Sequence, residues 1–303
     1  MNTGLDQYMD IFKDAVEDSA VKLTKSFEKI LFEVIILFMV IPRKINFTQM
    51  GRYGSHVEQT YRNAFGLKKS KSINWLKLNV SLANRFFGKQ GRWAIAIDPS
   101  YISKAGKKTP HIGRYWSGYA QAVKHGLKIM CIGIIDIDAK DSMMLRAYQS
   151  LSNKKQSIRN KTMVDFYISV IKRYRKELCK LSTLIVADAY LSLSGEEVLL
   201  YYRTRFQIEF CFRDAKGYTG LMDCQARDKW KLDFAFNASF TSLNVAKVTM
   251  KEMGMEYSMS SFKSLMTNIY LVRRIFKACG YIPNRTLISK IFKDLSCLQR
   301  IAA

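Results

Sequence analysis

The sequence is poor in the side chains that zinc and nucleophilic chemistry draw on. Only three histidines occur in 303 residues, His56, His111 and His125, and they lie far apart, which argues against a zinc site or a histidine-activated nucleophile. The six cysteines, at 131, 179, 211, 224, 279 and 297, never form a Cys-x-x-Cys pair. They sit mostly in apolar segments and read as reduced core residues. The apolar run Ile30–Ile41 contains Glu33 and is too short to span a bilayer, and no small-residue cleavage site follows a signal-like segment. A cytoplasmic, nucleoid-associated protein without membrane contact is therefore expected. Internal repeats and low-complexity tracts are absent as well.

Acidic residues are the other deficit. Asp and Glu total 25 against 49 Lys and Arg, giving a formal charge of +24 and a pI near 9.8. A field of that size exceeds the needs of solubility and suits a polyanion, with nucleic acid ahead of a ribosomal or membrane-surface role. The charge is concentrated. From Lys44 to Arg92 there are ten basic residues and one acid, Glu58, and from Pro99 to Met130 there are six basic residues and no acid. These stretches are the candidate phosphate-contacting surfaces.

What is present is enough apolar content, 48%, to bury a substantial core in one large domain or two to three smaller ones. Residues 5–41 carry helical periodicity up to Pro42. The basic segment that follows reads as short helical pieces separated by Gly51, Gly54 and Gly66, either a small helical DNA-binding module or an ordinary basic helical hairpin. At Trp93 the period changes. WAIAID is a continuous apolar run ending in an acid, the mark of a buried strand. LKIMCIGIIDID at 127–138 and SMMLRAYQS at 142–150 predict two further strands joined by a turn at Ala139–Asp141, forming an antiparallel meander. Residues Lys161 to Leu181 predict a helix, and LSTLIVADAY at 181–190 another buried strand ending in an acid. Ser194 to Lys216 predicts a helix with Ser194 and Glu197 in capping-box register. Three strands, a helix and a fourth strand is the opening order of a ribonuclease-H-like fold, within a mixed α/β chain. Several apolar helical stretches follow in 228–303, of which LDFAFNASFTSLNVAKVTM is the clearest.

Chemistry-bearing residues fall at the ends of these elements. Asp98 ends the first strand and Asp188 the fourth, so neighbouring strands would bring both carboxylates out at one edge, as a pair of divalent cations requires. On the helix YYRTRFQIEFCFRDAK, Tyr202, Arg205, Glu209 and Lys216 fall within roughly 60° of one another at about 100° per residue, with Arg213 close to the same face. A carboxylate flanked by cations suits metal ligation beside a phosphate, or else a salt-bridged solvent face. The segment TPHIGRYWSGYAQAVKHG interleaves Tyr115, Trp116 and Tyr119 with Arg114 and Lys124, either as a DNA-stacking surface or as a hairpin with core aromatics.

The spacing Tyr, two residues, Arg, three residues, Glu, six residues, Lys is similar to the signature of one branch of bacterial insertion-sequence DDE transposases, matched at all four positions. The similarity extends over AIAIDPSYISKAGKKTPHIGRYWSG, LIVADAY, FQIEFCFRDAKGYTGLMDCQAR and KLDFAFNASFTSLNVAK. The resemblance implies that Asp98, Asp188 and Glu209 bind Mg2+ or Mn2+ and catalyse two-metal phosphoryl transfer. It further implies that Tyr202, Arg205 and Lys216 contact phosphates near the cleaved transposon end, and that protomers pair as a homodimer on double-stranded DNA. It places a helical DNA-binding region at 1–90, the catalytic core at 91–216 and a helical, dimerising region at 217–303. Relatives carry a long β insertion between the second aspartate and the glutamate, where this chain has only twenty residues, and AYLSLSGEE reads as the site of an internal deletion. The linker 189–194 spans at most about 20 Å, and the helical rise from Gly195 to Glu209 is roughly 21 Å. A linker that doubles back would therefore return Glu209 to Asp188. Two other readings remain: a catalytically impaired derivative that binds transposon ends or an intact transposase, and a different ribonuclease-H-like nuclease, against which the Tyr-Arg-Glu-Lys helix argues.

Overall fold

The computed structural model describes residues 4–88, 91–118, 120–152, 156–158, 160, 162–187 and 195–280, with side chains from 206 onward in the last stretch. Six helices come first: α1 Gly4–Asp18, α2 Lys25–Val40, α3 Phe47–Tyr53, α4 Glu58–Ala64, α5 Leu67–Ser70 and α6 Trp75–Phe87. Strands β1 Trp93–Ser103, β2 Gly113–Ser117, β3 Ala122–Asp136 and β4 Asp141–Gln149 follow. Then come α7 Met163–Arg173, α8 Arg175–Leu178, β5 Ile185–Ala187 and three long helices, α9 Gly195–Tyr218, α10 Lys229–Glu252 and α11 Met259–Cys279. The protein is a mixed α/β fold in which one mixed sheet is joined to a helical body.

β3 is the spine of the sheet. It pairs antiparallel with β1 from Trp93↔Asp136 to Ser103↔Gly126, gives its first residues to β2 and its last to β4, and bulges between Ile132 and Gly133 against β4. β5 lies parallel to β1 on the other side. Ile95 donates its N–H to Leu184 O, so the odd-numbered residues of β1 aim their N–H groups at β5. Pro99 falls on that parity two residues past Ile97, the last β1 residue paired with β5 among the described residues. The first strand runs on through the proline to Ser103.

The sheet meets the helices along β4, which has β3 as its only strand partner among the described residues. Its outer edge is covered by side-chain amides. Asn237 of α10 donates to Ala147 O at 3.1 Å and accepts from Ala147 N at 2.9 Å. Asn244 donates to Met144 O at 2.7 Å, Asn79 of α6 to Leu145 O at 3.1 Å, and Lys247 to Ser142 O at 2.7 Å. Arg146 reaches back to Asp233 at 2.8 Å. An edge strand buried without such partners would leave peptide groups unsatisfied. α10 is enclosed on every side, with each residue from Phe234 to Met250 buried among α1, α2, α6, α11 and β4. Its alanines, serines and threonines permit that crowding. Helices from both ends of the chain thus share one hydrophobic core with the sheet.

Several boundaries differ from expectation. The helix foreseen over Lys161–Leu181 is two pieces, because Tyr174 leaves helical geometry at φ −106°, ψ 14°, while Thr162 and Asp165 form a capping box at the start of α7. The strand foreseen over 181–190 is described only at Ile185–Ala187, and the capping serine Ser194 and the linker 189–194 lie outside the described residues. The meander gains a strand, β2. Among the cysteines, Cys131 and Cys211 are buried, but Cys179 and Cys279 are exposed because they sit at helix ends; none of the described cysteines is in a disulfide. Among the described residues, no helix is long and apolar enough to cross a membrane.

The α3–α4 turn is pinned to α2 by Glu33, which accepts from Ser55 N at 2.5 Å, Ser55 Oγ at 2.8 Å and His56 Nδ1 at 2.7 Å. Gly54 is required there, since a Cβ would lie 1.9 Å from the Tyr61 hydroxyl. Burial raises the Glu33 pKa, but these hydrogen bonds outweigh it and hold the carboxyl below its usual range. The stabilisation is then complete above the ordinary carboxylate pKa and is lost as pH falls through the depressed value. Acid titration of stability should show this dependence, and Glu33→Gln should flatten it. On the sheet side, Asn237→Ala leaves two buried peptide groups unpaired and should lower unfolding free energy by about 2–4 kcal/mol. Urea denaturation should show a reduced midpoint at unchanged slope.

Candidate active site

On β1 the even-numbered residues Ala94, Ala96, Asp98 and Ser100 share one face, and the register places Ile135, Gly133, Cys131 and Ile129 of β3 beside them. The small residues in this set make room for a helix. α9 lies across β4, β3 and β1 on that face. Ile208 sits over Gly133, where a Cβ would come within 2.6 Å of its Cδ1, and Cys211 Sγ lies 3.2 Å from Ser142 Oγ. Further along, Lys216 donates from Nζ to Ser100 Oγ at 2.9 Å. The C-terminal turn of α9 is fixed by Lys263, which donates to Tyr218 O, and by Tyr257, whose hydroxyl donates to the buried Asp214 at 2.6 Å.

Asp98 is 7% exposed and stands at the centre of this arrangement. Burial pulls the Lys216 ammonium below its usual pKa range, with Cys131 and Asp98 pulling the other way. The Cys131 thiol, paired with Asp98 across the ladder, is pushed well up by burial and then by the Asp98 charge, which leaves it neutral. Tyr167 of α7 lies within the same electrostatic neighbourhood. Its phenol is pushed up to about 12 by burial, with Cys131 and Asp98 adding to the rise and Ser150 opposing it.

The other expected site residues are distributed as follows. Glu209 is exposed on α9, one position beyond Ile208. Tyr202 and Arg205 lie on the backbone of the same continuous helix, with side chains outside the described set. Arg213 is largely exposed, pairs with Asp214 at 3.0 Å and covers the Phe210 ring at 4.8 Å. Asp188 lies outside the described residues, directly after Ala187, which is paired with Ile97, the residue before Asp98. Arg114 and Trp116 are exposed on β2, while Tyr115 between them is buried, so that segment is both a hairpin with a core aromatic and an exposed face. Tyr119 lies outside the described residues. In the basic stretch 44–92, Arg62 pairs with Glu58, and Arg85 bridges Asp14 and Glu252, so these two cations serve the fold; Lys44, Lys68, Lys71 and Lys77 are exposed.

Ser100 and Tyr167 were not singled out from the sequence. The signal for Ser100 was its period-two relation to Asp98; Tyr167 carried none, because its helix approaches Asp98 only through tertiary packing.

The donor set suits a hard cation. Asp98 offers oxygen, while the His56 ring is held by Glu33 and the His125 ring bonds the Lys104 carbonyl. Among the described residues, no three of His, Cys, Asp and Glu gather into a group that could hold a metal ion.

The tight seat of α9 gives a direct check. Gly133→Val should collide with Ile208 and destabilise the protein by about 1–3 kcal/mol. Adding Ile208→Ala should recover part of that loss in thermal unfolding, which an unrelated defect at Gly133 would not allow. Compared with family models, with curated proteins and with solved structures, the chain finds no match in any of the three.

Proposed function

We propose that this chain is a DNA transposase of the DDE type, cutting transposon ends and joining them to target DNA on a ribonuclease-H-like core. The observation that carries the reading is the docking of α9 beside Asp98, with Lys216 bonded to Ser100 two residues further along β1. Two other features support it. The strand order β4-β3-β1-β5, antiparallel except for the β1–β5 pair, is the order such a core requires. The parallel register also makes Ile97 level with Ala187, and in the sequence an aspartate follows each of them.

In this reading Asp98, Asp188 and Glu209 would hold Mg2+ or Mn2+. Bound there, such ions supply an activated water or DNA 3′-hydroxyl and stabilise the leaving oxygen of an in-line displacement. The chain's own contribution is positioning. Lys216 offers a cation next to the buried carboxylate, at a place a phosphate would occupy, and Arg213 offers a second, exposed cation on the same helix face. Tyr202 and Arg205 extend that face toward the start of α9. The excess of 24 positive charges draws DNA to the protein, and a pair of protomers would bridge two transposon ends.

Incubated with a supercoiled plasmid carrying its own gene ends, the protein should nick only with Mg2+ or Mn2+, and Asp98→Ala should remove the activity. Nicking that survives in that variant, or that needs no metal, would sink the proposal. DNA binding without any cleavage selects the alternative, a chain that occupies transposon ends or pairs with an intact transposase.

A further inference from the structure

Among the described residues, one face of the β2–β3 ribbon is exposed. Arg114 pairs across the ladder with His125, and Trp116 with Val123, so these four side chains lie on the same side of the pleat. All four are exposed, with Trp116 at 60% and Val123 at 59%. The opposite side is different: Tyr115 and Ser117 are buried there. A large aromatic and a β-branched residue placed in contact and left in water are unfavourable unless something docks on them.

The alternation along β3 shows where this face leads. Val123, His125, Leu127, Ile129 and Cys131 share one parity, and Cys131 is the partner of Asp98. Leu127, Ile129 and Cys131 are buried, so the exposed face ends at His125, on the side of the sheet that also carries Asp98 and Ser100. Eight residues separate Val123 from Cys131, roughly 26 Å at about 3.3 Å per residue. An unpaired nucleic-acid strand is the occupant that an exposed aromatic beside cations suits. The surface charge agrees with that occupant: there is no acid between Pro99 and Met130, and Arg114, Lys124 and His125 are all exposed on the ribbon.

We propose that the outer face of the β2–β3 ribbon is a second nucleic-acid contact, where an unpaired base stacks on Trp116 beside Val123 while Arg114 holds an adjoining phosphate. This rests on the DNA-acting reading of the Asp98 site and adds a preference to it. The indole plane can be covered only by a base whose face is free, so unpaired or splayed DNA is favoured over intact duplex.

The test uses the full chain in EDTA, with a fluorescent mixed-sequence single strand and the same sequence as a closed duplex. Trp116→Ala should weaken single-strand binding by about tenfold and Trp116→Phe by much less, because a smaller ring still stacks. Duplex binding should change by less than about twofold in Trp116→Ala, whereas Arg114→Ala should weaken both DNAs. Equal affinity of Trp116→Ala and wild type for the single strand would overturn the proposal. So would a response of Trp116 to anionic vesicles with none to DNA. Neither result touches the acid site, which is read separately from metal-dependent nicking in Asp98→Ala.

Discussion

The structure depends on how the outer edge of β4 is buried. A strand with one strand neighbour presents a row of unpaired peptide groups, and in this protein that row faces the interior. Asn237, Asn244, Asn79 and Lys247 satisfy it from α10 and α6, so side chains do the work of a missing strand. Because these bonds leave α10 little freedom to slide, the register between sheet and helices is set at β4. The bulge between Ile132 and Gly133 falls beside this seam and accommodates it. Everything nearer the site is placed relative to that seam.

From the seam outward, the site is a consequence of side-chain size. Gly133 and Ser142 on the sheet admit Ile208 and Cys211, and α9 settles close enough for Lys216 to meet Ser100 next to Asp98. The carboxylate is buried, with the Lys216 ammonium in its electrostatic surroundings. Lys263 and Tyr257 hold the far end of the helix, and Lys263 also reaches Phe38 O at the end of α2. α9 and the N-terminal helices are thereby tied through one buried ammonium.

Much of this was legible in the sequence. The apolar run ending at Asp98, the meander of β3 and β4 and the continuous helix bearing Glu209 and Lys216 follow from periodicity alone. Strand ends were less legible: the apolar run ends at Asp98, but β1 continues through Pro99 to Ser103. α10 was readable as a helix but not as the centre of the fold, since its asparagines and lysine look like a polar surface until the edge of β4 is set against them. The same holds for Arg62 and Arg85, whose basic character suggested phosphate contacts but whose charges are spent on Glu58, Asp14 and Glu252. For α10 and Arg85 the partners are tertiary and no local pattern encodes them, whereas Arg62 meets Glu58 one helical turn away.

The central claim is that Asp98 acts with Asp188 and Glu209 as one oxygen-rich centre. Crystals grown with Mn2+ and a DNA end would test it most directly through anomalous scattering. The account predicts a peak at about 2.1 Å from a carboxylate oxygen of Asp98, with oxygens of Asp188 or Glu209 completing the protein ligands. A peak bound elsewhere, or none with DNA in place, would contradict it.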